Sequence, residues 1–159
     1  MLKELKAAGI KCTYILTNSI PYVIKQTTKV IIGTSSVMTN GDVMGKAGTA
    51  IVCMAAYDSQ VPVIVLAETL KFSDQVRLDS FVWNELCEPD LLANQTNQTA
   101  QERLFTKSEV VGPLKNWENV DSLIVLNLEY DVTPAKLITM VACEHGMIPS
   151  NLVMSYSWK

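Results

Sequence analysis

The sequence of 159 residues predicts an α/β fold with a mostly parallel sheet flanked by helices. Strand-like and helix-like segments alternate through the first half, as is typical of βαβ units. The segment VPVIVLAET, beginning at Val61, is almost entirely apolar. A strand of this composition is buried on both faces, which is characteristic of a parallel sheet. For a chain of this length we expect one domain, residues 1–159.

The first half contains the clearest elements. LKELKAAG predicts a helix that ends at Gly9, and KCTYILT, residues 11–17, predicts a strand. NSIPYVIKQT predicts a short helix with Pro21 in its first turn. KVIIGTSS predicts the next strand, and AIVCMAAYDSQ, from Ala50, predicts the helix that follows it.

The second half is less regular. Residues 72–86 predict a short helix and an irregular stretch, and residues 88–107 predict a polar surface loop. DSLIVLNLEYD, residues 121–131, predicts a strand. The next segment predicts a helix with Thr133 as N-cap and Gly146 at its end, before a final extended segment. Because the chain opens on a helix instead of a strand, we expect it to be the carboxy-terminal part of a longer protein.

Composition excludes several classes of function. The net charge is -3 and the pI is near 5.1, so we expect no direct nucleic-acid contact. No apolar run reaches the roughly 20 residues that a membrane span requires, so no membrane association is expected. Four cysteines without a CxxC pair favour the cytoplasm, and with one histidine we expect no metal site. Only 18% of residues are charged, which suggests that a partner covers apolar surface.

The segment TNGDVMGKAGT, residues 39–49, joins a predicted strand to a predicted helix. In parallel α/β proteins, ligands bind where a strand ends and the next helix begins. Glycines allow the backbone to turn tightly and to approach a ligand closely. Free amides at the start of a helix favour the binding of anions. The segment therefore predicts a phosphate or sugar-phosphate site. The ligand-binding candidates are Asn40, Gly41, Asp42, Gly45 and Lys46. The alternative is a simple turn at residues 40–42 and a solvated lysine at the helix start.

Nucleotide motifs do not fit this segment. A P-loop requires four residues between its first glycine and Gly-Lys, but Gly41 and Gly45 enclose only three, and Ala47 follows the lysine. The segment also does not match GxGxxG, the fingerprint of dinucleotide-binding sites. We therefore expect no cofactor. Glu68 directly follows a predicted buried strand and is a further ligand-binding candidate. The simpler interpretation is that its carboxylate only caps the loop. Cys53 is interpreted as a core residue.

Four segments, in this order, resemble one superfamily: TNGDVMGKAGTA, VPVIVLAETLKF, FVWNELCEPDLL and LNLEYDVTPAKLITMVACEHGMIP. It contains the regulatory alpha, beta and delta subunits of eukaryotic translation initiation factor 2B. It also contains the methylthioribose-1-phosphate and ribose-1,5-bisphosphate isomerases. The phrases AETLKF, NEL with EPDLL, and YDVTP followed by GMIP most resemble the delta subunits. The resemblance covers nearly the whole chain except residues 94–107. It implies a Rossmann-like carboxy-terminal domain, here without its first strand or strands.

The resemblance implies a regulatory, delta-like subunit of the guanine-nucleotide exchange factor for initiation factor 2. Such a subunit is not an enzyme. Its partners would be beta-type, alpha-type and catalytic subunits, together with initiation factor 2. Residues 123–134 would contribute to a dimer interface, and the isolated chain would be able to pair with itself. The interface candidates are Leu126, Leu128 and Tyr130.

An isomerase is the alternative that the resemblance leaves open. The isomerase relatives use an aspartate in an NGD loop followed by Asn-Lys, with a cysteine further upstream. Here Asp42 stands in the NGD position and Lys46 in the lysine position, but Gly45 replaces the asparagine and the upstream cysteine has no counterpart. Asp42 would move a proton and Lys46 would hold phosphate. A third interpretation is a ligand sensor that has lost catalysis.

Overall fold

The computed structural model describes residues 2–77, 79–81, 84–93, 114 and 117–155. The chain divides into two compact units, residues 1–79 with 131–159, and residues 80–130. The interpretation of residues 1–159 as one domain stays a prediction. Among the described residues, none of the helices combines the length and apolar character needed to cross a membrane.

The strands, in chain order, are β1 (Val30–Gly33), β2 (Ser36–Met38), β3 (Val43–Lys46), β4 (Val63–Leu66), β5 (Phe72–Ser73), β6 (Tyr130–Thr133), β7 (Met140–Cys143) and β8 (Gly146–Ile148). The α-helices are α1 (Leu2–Ala7), α2 (Ile20–Val23), α3 (Thr49–Asp58) and α4 (Asp90–Ala93). Short 3-10 helices occupy Thr17–Ser19, Ile24–Gln26, Thr69–Lys71, Trp117–Asn119, Ala135–Leu137 and Ser150–Ser155.

Two sheets organise these strands. The first has the order β1-β4-β7-β8, in which β1, β4 and β7 are parallel and β8 is antiparallel. The second has the order β5-β2-β3-β6, with an antiparallel β2–β3 hairpin. The first sheet confirms the predicted α/β fold with mostly parallel strands.

The core lies on one face of the first sheet. Val30 and Val63 pack with Cys53 and Ala56 of α3, together with residues of α2. A second cluster joins the two sheets and contains Val37, Val43, Val65, Val141 and Val153. Alternate residues of a strand point to opposite faces, so the other face of the first sheet carries a different set of side chains.

We name that second surface the open sheet face and define it by Ile31, Leu66 and Met147. The strand register places these residues on the same face. Their side chains are 62%, 51% and 54% exposed, respectively. Since a parallel sheet is normally covered on both faces, the open sheet face is an unusually exposed apolar surface.

Several predicted elements are confirmed. Helix α1 ends before Gly9, which has a φ of 79° as expected for a helix end. Pro21 lies in the first turn of α2. Strand β1 lies within the predicted segment KVIIGTSS, α3 begins one residue before its predicted start at Ala50, and β4 lies within the predicted segment VPVIVLAET.

The predicted strand at residues 11–17 is wrong. Residues 10–16 have no regular structure, and Thr17 begins a 3-10 helix. A strand requires a hydrogen-bonded neighbour, and the described pairings include none for this segment. The predicted strand at residues 121–131 is also mostly wrong, because only an isolated bridge of Leu128 with Leu86 precedes β6.

The predicted helix at residues 133–146 is wrong as well. Its first residues form the end of β6 and a single 3-10 turn, and the remainder forms β7 and the start of β8. Val141 is fully buried and pairs with Val65 in the sheet, so tertiary packing outweighs the helical end signals. Residues 72–86 begin with β5 instead of a helix. Of the predicted polar loop at residues 88–107, positions 94–107 lie outside the described residues, and α4 occupies Asp90–Ala93.

Candidate functional site

The glycine-rich segment is a hairpin and not a single loop. The amide of Gly41 donates to the carbonyl of Met38 at 2.9 Å, and the amide of Met38 donates to the carbonyl of Asp42 at 2.9 Å. These bonds close the turn between β2 and β3. Gly41 has a φ of 84°, and a Cβ at this position would overlap the backbone carbonyl of Ser150. Glycine is therefore required here by the turn and by its close packing.

Both carboxylate oxygens of Asp42 are engaged within the protein. Oδ1 accepts a hydrogen bond from the amide of Ala135 at 2.8 Å, and Oδ2 accepts one from Nδ2 of Asn40 at 2.7 Å. The amide of Asp42 in turn donates to Oδ1 of Asn40 at 3.1 Å. These contacts are the ones that the turn interpretation of residues 40–42 requires. A ligand-binding role for Asn40, Gly41 and Asp42 stays a prediction.

Strand β3 separates Asp42 from Lys46. Four residues of extended chain span roughly 13 Å, so the acid and the base lie at opposite ends of the strand. The structure therefore does not bring these two candidates together. Gly45 packs beneath Thr49, because a Cβ at Gly45 would lie 2.8 Å from Oγ1 of Thr49.

Lys46 lies instead at a cavity of about 420 Å³ at the carboxyl end of β1. We name it the lysine depression. Its lining residues are Ile32, Gly33, Thr34, Ser35, Lys46, Thr49 and Lys71. Nζ of Lys71 donates to the carbonyl of Thr34 at 2.8 Å, which fixes this side chain at the rim. Two lysines and several hydroxyls at the end of a parallel strand form an arrangement suited to an anion.

Glu68 does not line the lysine depression. It is exposed and directly precedes the turn Thr69–Lys71, without capping that turn through its side chain. The carboxylate of Glu144 takes the capping role instead, since it accepts a hydrogen bond from the amide of Thr69 at 3.0 Å. The backbone amides of Glu144 itself and of Thr69 lower the pKa of Glu144. A ligand-binding role for Glu68 stays a prediction.

Sequence reasoning missed Thr34, Thr49 and Lys71. Lys71 carries a signal in the sequence, because it closely follows the apolar strand β4 within the phrase AETLKF. Thr49 also has a signal, since it directly precedes the helix predicted from Ala50 and is the first residue of the observed helix α3. Thr34 directly follows β1 but resembles any polar residue at a strand end.

A distant carboxylate caps the start of α3. Oδ2 of Asp131 accepts hydrogen bonds from the amides of Gly48, at 2.7 Å, and Ala50, at 2.9 Å. Burial raises the pKa of Asp131, and these amide bonds partly oppose the increase. Within the described part of the chain, Oδ1 of Asp131 is buried without a hydrogen-bond partner.

Cys53 belongs to the core, as predicted. Its side chain is fully buried in the cluster beneath α3. Burial raises the pKa of the thiol to about 11, and the neighbouring carboxylate of Asp131 acts in the same direction, while the Thr133 hydroxyl lowers it. The thiol is therefore protonated at neutral pH and is a poor nucleophile.

The interface candidates belong to the smaller unit. Leu126 is 47% exposed, whereas Leu128 forms a bridge with Leu86. The backbone of Tyr130 is held by Asn84, whose Nδ2 donates to the Tyr130 carbonyl at 2.7 Å. Of the three candidates, Leu126 offers the most accessible apolar side chain. A role of these residues in an interface stays a prediction.

Comparison with known proteins identifies the family. The profile of the Initiation factor 2 subunit family matches residues 1–150. The chain is 38% identical over 152 residues to the translation initiation factor eIF2B subunit delta of Schizosaccharomyces pombe, covering 96% of this chain and 31% of that protein. It is 39% identical over 150 residues to the corresponding subunit of Dictyostelium discoideum, covering 94% of this chain and 23% of that protein. A ribose 1,5-bisphosphate isomerase of Pyrococcus furiosus is 33% identical over 148 residues, covering 92% of this chain and 40% of that protein.

Solved structures support the fold. The eIF-2B subunit delta structure from A. fulgidus superimposes with a TM-score of 0.68 at 23% identity, over 96% of this chain and 41% of that one. The 5-methylthioribose 1-phosphate isomerase of Pyrococcus horikoshii gives a TM-score of 0.70 at 19% identity, over 96% and 38%. At these identities the likeness concerns the fold alone. The chain spans less than a third of the two delta subunits it matches. By sequence, this chain belongs to the Initiation factor 2 subunit family.

Proposed function

We propose that this chain is the Rossmann-like part of a delta-type regulatory subunit of the guanine-nucleotide exchange factor for initiation factor 2. The observation that carries the proposal is its 38% and 39% identity to two delta subunits over nearly its whole length. The Pyrococcus furiosus isomerase is less similar, at 33%. The chain would act in the cytoplasm by assembling with other subunits, without catalysis of its own.

The exposed apolar surface supports assembly as the mode of action. The open sheet face presents three large apolar side chains, and Leu126 presents a fourth in the smaller unit. Contiguous exposed apolar surface is typical of protein interfaces. The proposed partners are beta-type, alpha-type and catalytic subunits together with initiation factor 2. In the absence of these partners, the isolated chain would pair with itself. Nucleic acids, membranes and metal ions are not part of the proposal.

Leu126→Asp is expected to reduce the recovery of a beta-type subunit at least roughly tenfold in a pull-down with the tagged chain, as loss of a central interface anchor does. A charge at this position would have to be buried without a partner. Leu2→Asp is the matched control, because Leu2 is 48% exposed, almost the same as Leu126, and lies outside the predicted interface. Circular dichroism verifies that both variants fold.

Two results would contradict the assembly proposal in different ways. Recovery of no factor 2B subunit by the wild-type chain, with mass spectrometry as the readout, would reject the assignment to the exchange factor. Equal recovery by both variants would remove Leu126 from the interface.

A sugar-phosphate binding function is the second candidate, and the lysine depression favours it. Lys46 and Lys71 would hold a phosphate group, with the hydroxyl groups of Ser35 and Thr49 beside them. Asp42 lies at the far end of β3, so the geometry does not place this proton-transfer candidate next to the lysines. The arrangement therefore supports binding without turnover. We expect no conversion of methylthioribose 1-phosphate or ribose 1,5-bisphosphate.

Lys71→Met is expected to weaken binding of inorganic sulfate roughly tenfold, because it removes one charge-assisted contact while keeping the apolar stem. Chemical-shift titration of the Thr49 and Lys46 amides measures the affinity. Lys25→Met is the matched control, since Lys25 is exposed and does not line the lysine depression. Absence of sulfate-dependent shifts in the wild-type chain would reject this second function.

A further inference from the structure

We propose that Asp131 is a positioning residue for the lysine depression and acts as an internal anion at the start of α3. The inference rests on the second candidate function, the binding of an anion at this depression. It concerns a residue 85 positions after Lys46 in sequence that does not line the cavity itself.

The start of α3 has no local cap. Gly48 precedes the helix with a φ of 103° and carries no side chain that would accept its amide hydrogen bonds. The first amides of a helix carry a partial positive charge and attract an anion. Asp131 supplies that anion from β6, and its carboxylate binds the amides of Gly48 and Ala50 at 2.7 and 2.9 Å.

These contacts connect Asp131 to the lining of the lysine depression. Gly48 and Ala50 flank Thr49, and Oγ1 of Thr49 donates to the carbonyl of Lys46 at 2.6 Å. The carboxylate therefore fixes the backbone that presents Thr49 and Lys46 to the cavity. Its negative charge, located one residue from this lining, also opposes a second anion. Asp131 thus has two effects of opposite sign, one geometric and one electrostatic.

The structure offers a way to separate the two effects. Both amide bonds go to the same oxygen, Oδ2, while Oδ1 is buried and finds no hydrogen-bond partner among the described residues. Asparagine with its carbonyl oxygen in the Oδ2 position would keep both bonds and remove the charge. Its amide group would replace an oxygen that has no hydrogen bond to lose. Alanine would remove the charge and the cap together.

The test is a titration of the isotope-labelled chain with inorganic sulfate at pH 7, followed through the amide signals of residues 48–50. Asp131→Asn is expected to bind sulfate roughly fivefold more tightly than the wild type, because a nearby negative charge is lost. Asp131→Ala is expected to bind it roughly fivefold more weakly, because the first turn of α3 loses its cap. Asp58→Asn makes the same charge change at the other end of α3, roughly 13 Å away, and should leave the affinity unchanged.

The sulfate affinity is expected to change in opposite directions in the two Asp131 variants. A purely structural role of Asp131 would weaken sulfate binding in both. A folded Asp131→Asn variant that binds sulfate with the wild-type affinity or more weakly would overturn the inference. If the wild type also binds sulfate in a Lys71-dependent manner, that result leaves the anion site intact and rejects only the role of Asp131. If neither the wild type nor Asp131→Asn binds sulfate, the anion site fails and the inference fails with it.

Discussion

Replacement of Gly41 by alanine is expected to lower the free energy of unfolding by about 3 kcal/mol. A φ of 84° lies in the left-handed region, where a non-glycine residue costs about 1–2 kcal/mol. The new Cβ would also overlap the carbonyl of Ser150 and would lie 3.1 Å from Cβ of Ala135. Overpacking of this kind costs about 1–3 kcal/mol. Urea denaturation followed by circular dichroism measures the change.

Gly146→Ala is the control for the Gly41 prediction. Gly146 has a φ of 111°, but a Cβ there would meet no atom within 4 Å. Only the backbone cost of about 1–2 kcal/mol should therefore be observed. Equal losses of stability in the two variants would show that packing against Ser150 contributes nothing. This measurement uses no ligand, so it tests the structural role of Gly41 independently of any binding role.

Met38→Ala is expected to destabilise the protein by a comparable amount, about 3 kcal/mol. Met38 lies in β2 and is only 2% exposed, and it is among the largest fully enclosed side chains of the described residues. Truncation removes apolar contacts and leaves a cavity, which costs about 2–5 kcal/mol for methionine. Its sulfur also accepts a hydrogen bond from the amide of Arg77 at 3.2 Å, which the variant would lose.

Met54→Ala provides the matched comparison for Met38. Met54 is 51% exposed on α3, and alanine is the most favourable residue in a helix. The free energy of unfolding of the Met54→Ala variant should stay within about 0.5 kcal/mol of the wild-type value. Thermal and chemical denaturation of both variants measures the difference, and similar losses in the two would contradict the assignment of Met38 to the core.

The segment from β1 to β4 is predictable from the sequence because its local and long-range preferences agree. The apolar runs at residues 30–33 and 63–66 favour strands, and the same residues pair with each other in the sheet. Helix α3 between them fills the crossover that a parallel pair requires. Gly9 and Pro21 also lie at helix ends, which is where local sequence rules predict glycine and proline.

Residues 133–146 show where local rules fail. Thr133, Pro134 and Gly146 have the identities expected at the ends of a helix, yet Pro134 begins only a single 3-10 turn. The β-branched residues of this stretch suit a strand, and Val141 is buried completely beside Val65. The pairing partner lies more than seventy residues earlier in the chain, so a window of neighbouring residues contains no information about it.

The candidate site was predictable only in part. The glycines indicate the turn at residues 40–42, but the four residues of β3 are too few to show a strand pattern, so the separation of Asp42 from Lys46 was not visible. The lysine depression also depends on the turn that carries Lys71, whose proximity to β1 arises from the sheet order. The contact of Asp131 with α3 has no sequence signal, because 83 residues separate it from Gly48.

The hydrogen bonds of Asp42 with Ala135 and of Asp131 with Gly48 and Ala50 have a consequence for protein synthesis. They join residues that are 93, 83 and 81 positions apart. A ribosome delivers the amino-terminal residues first, and contacts over such distances form slowly. The β2–β3 hairpin and α3 therefore lack these contacts until residues 131–143 have been synthesised, and the same residues place β7 beside β4. For this chain, the hairpin and the start of α3 reach their native contacts only after Asp131 and Ala135 have been synthesised.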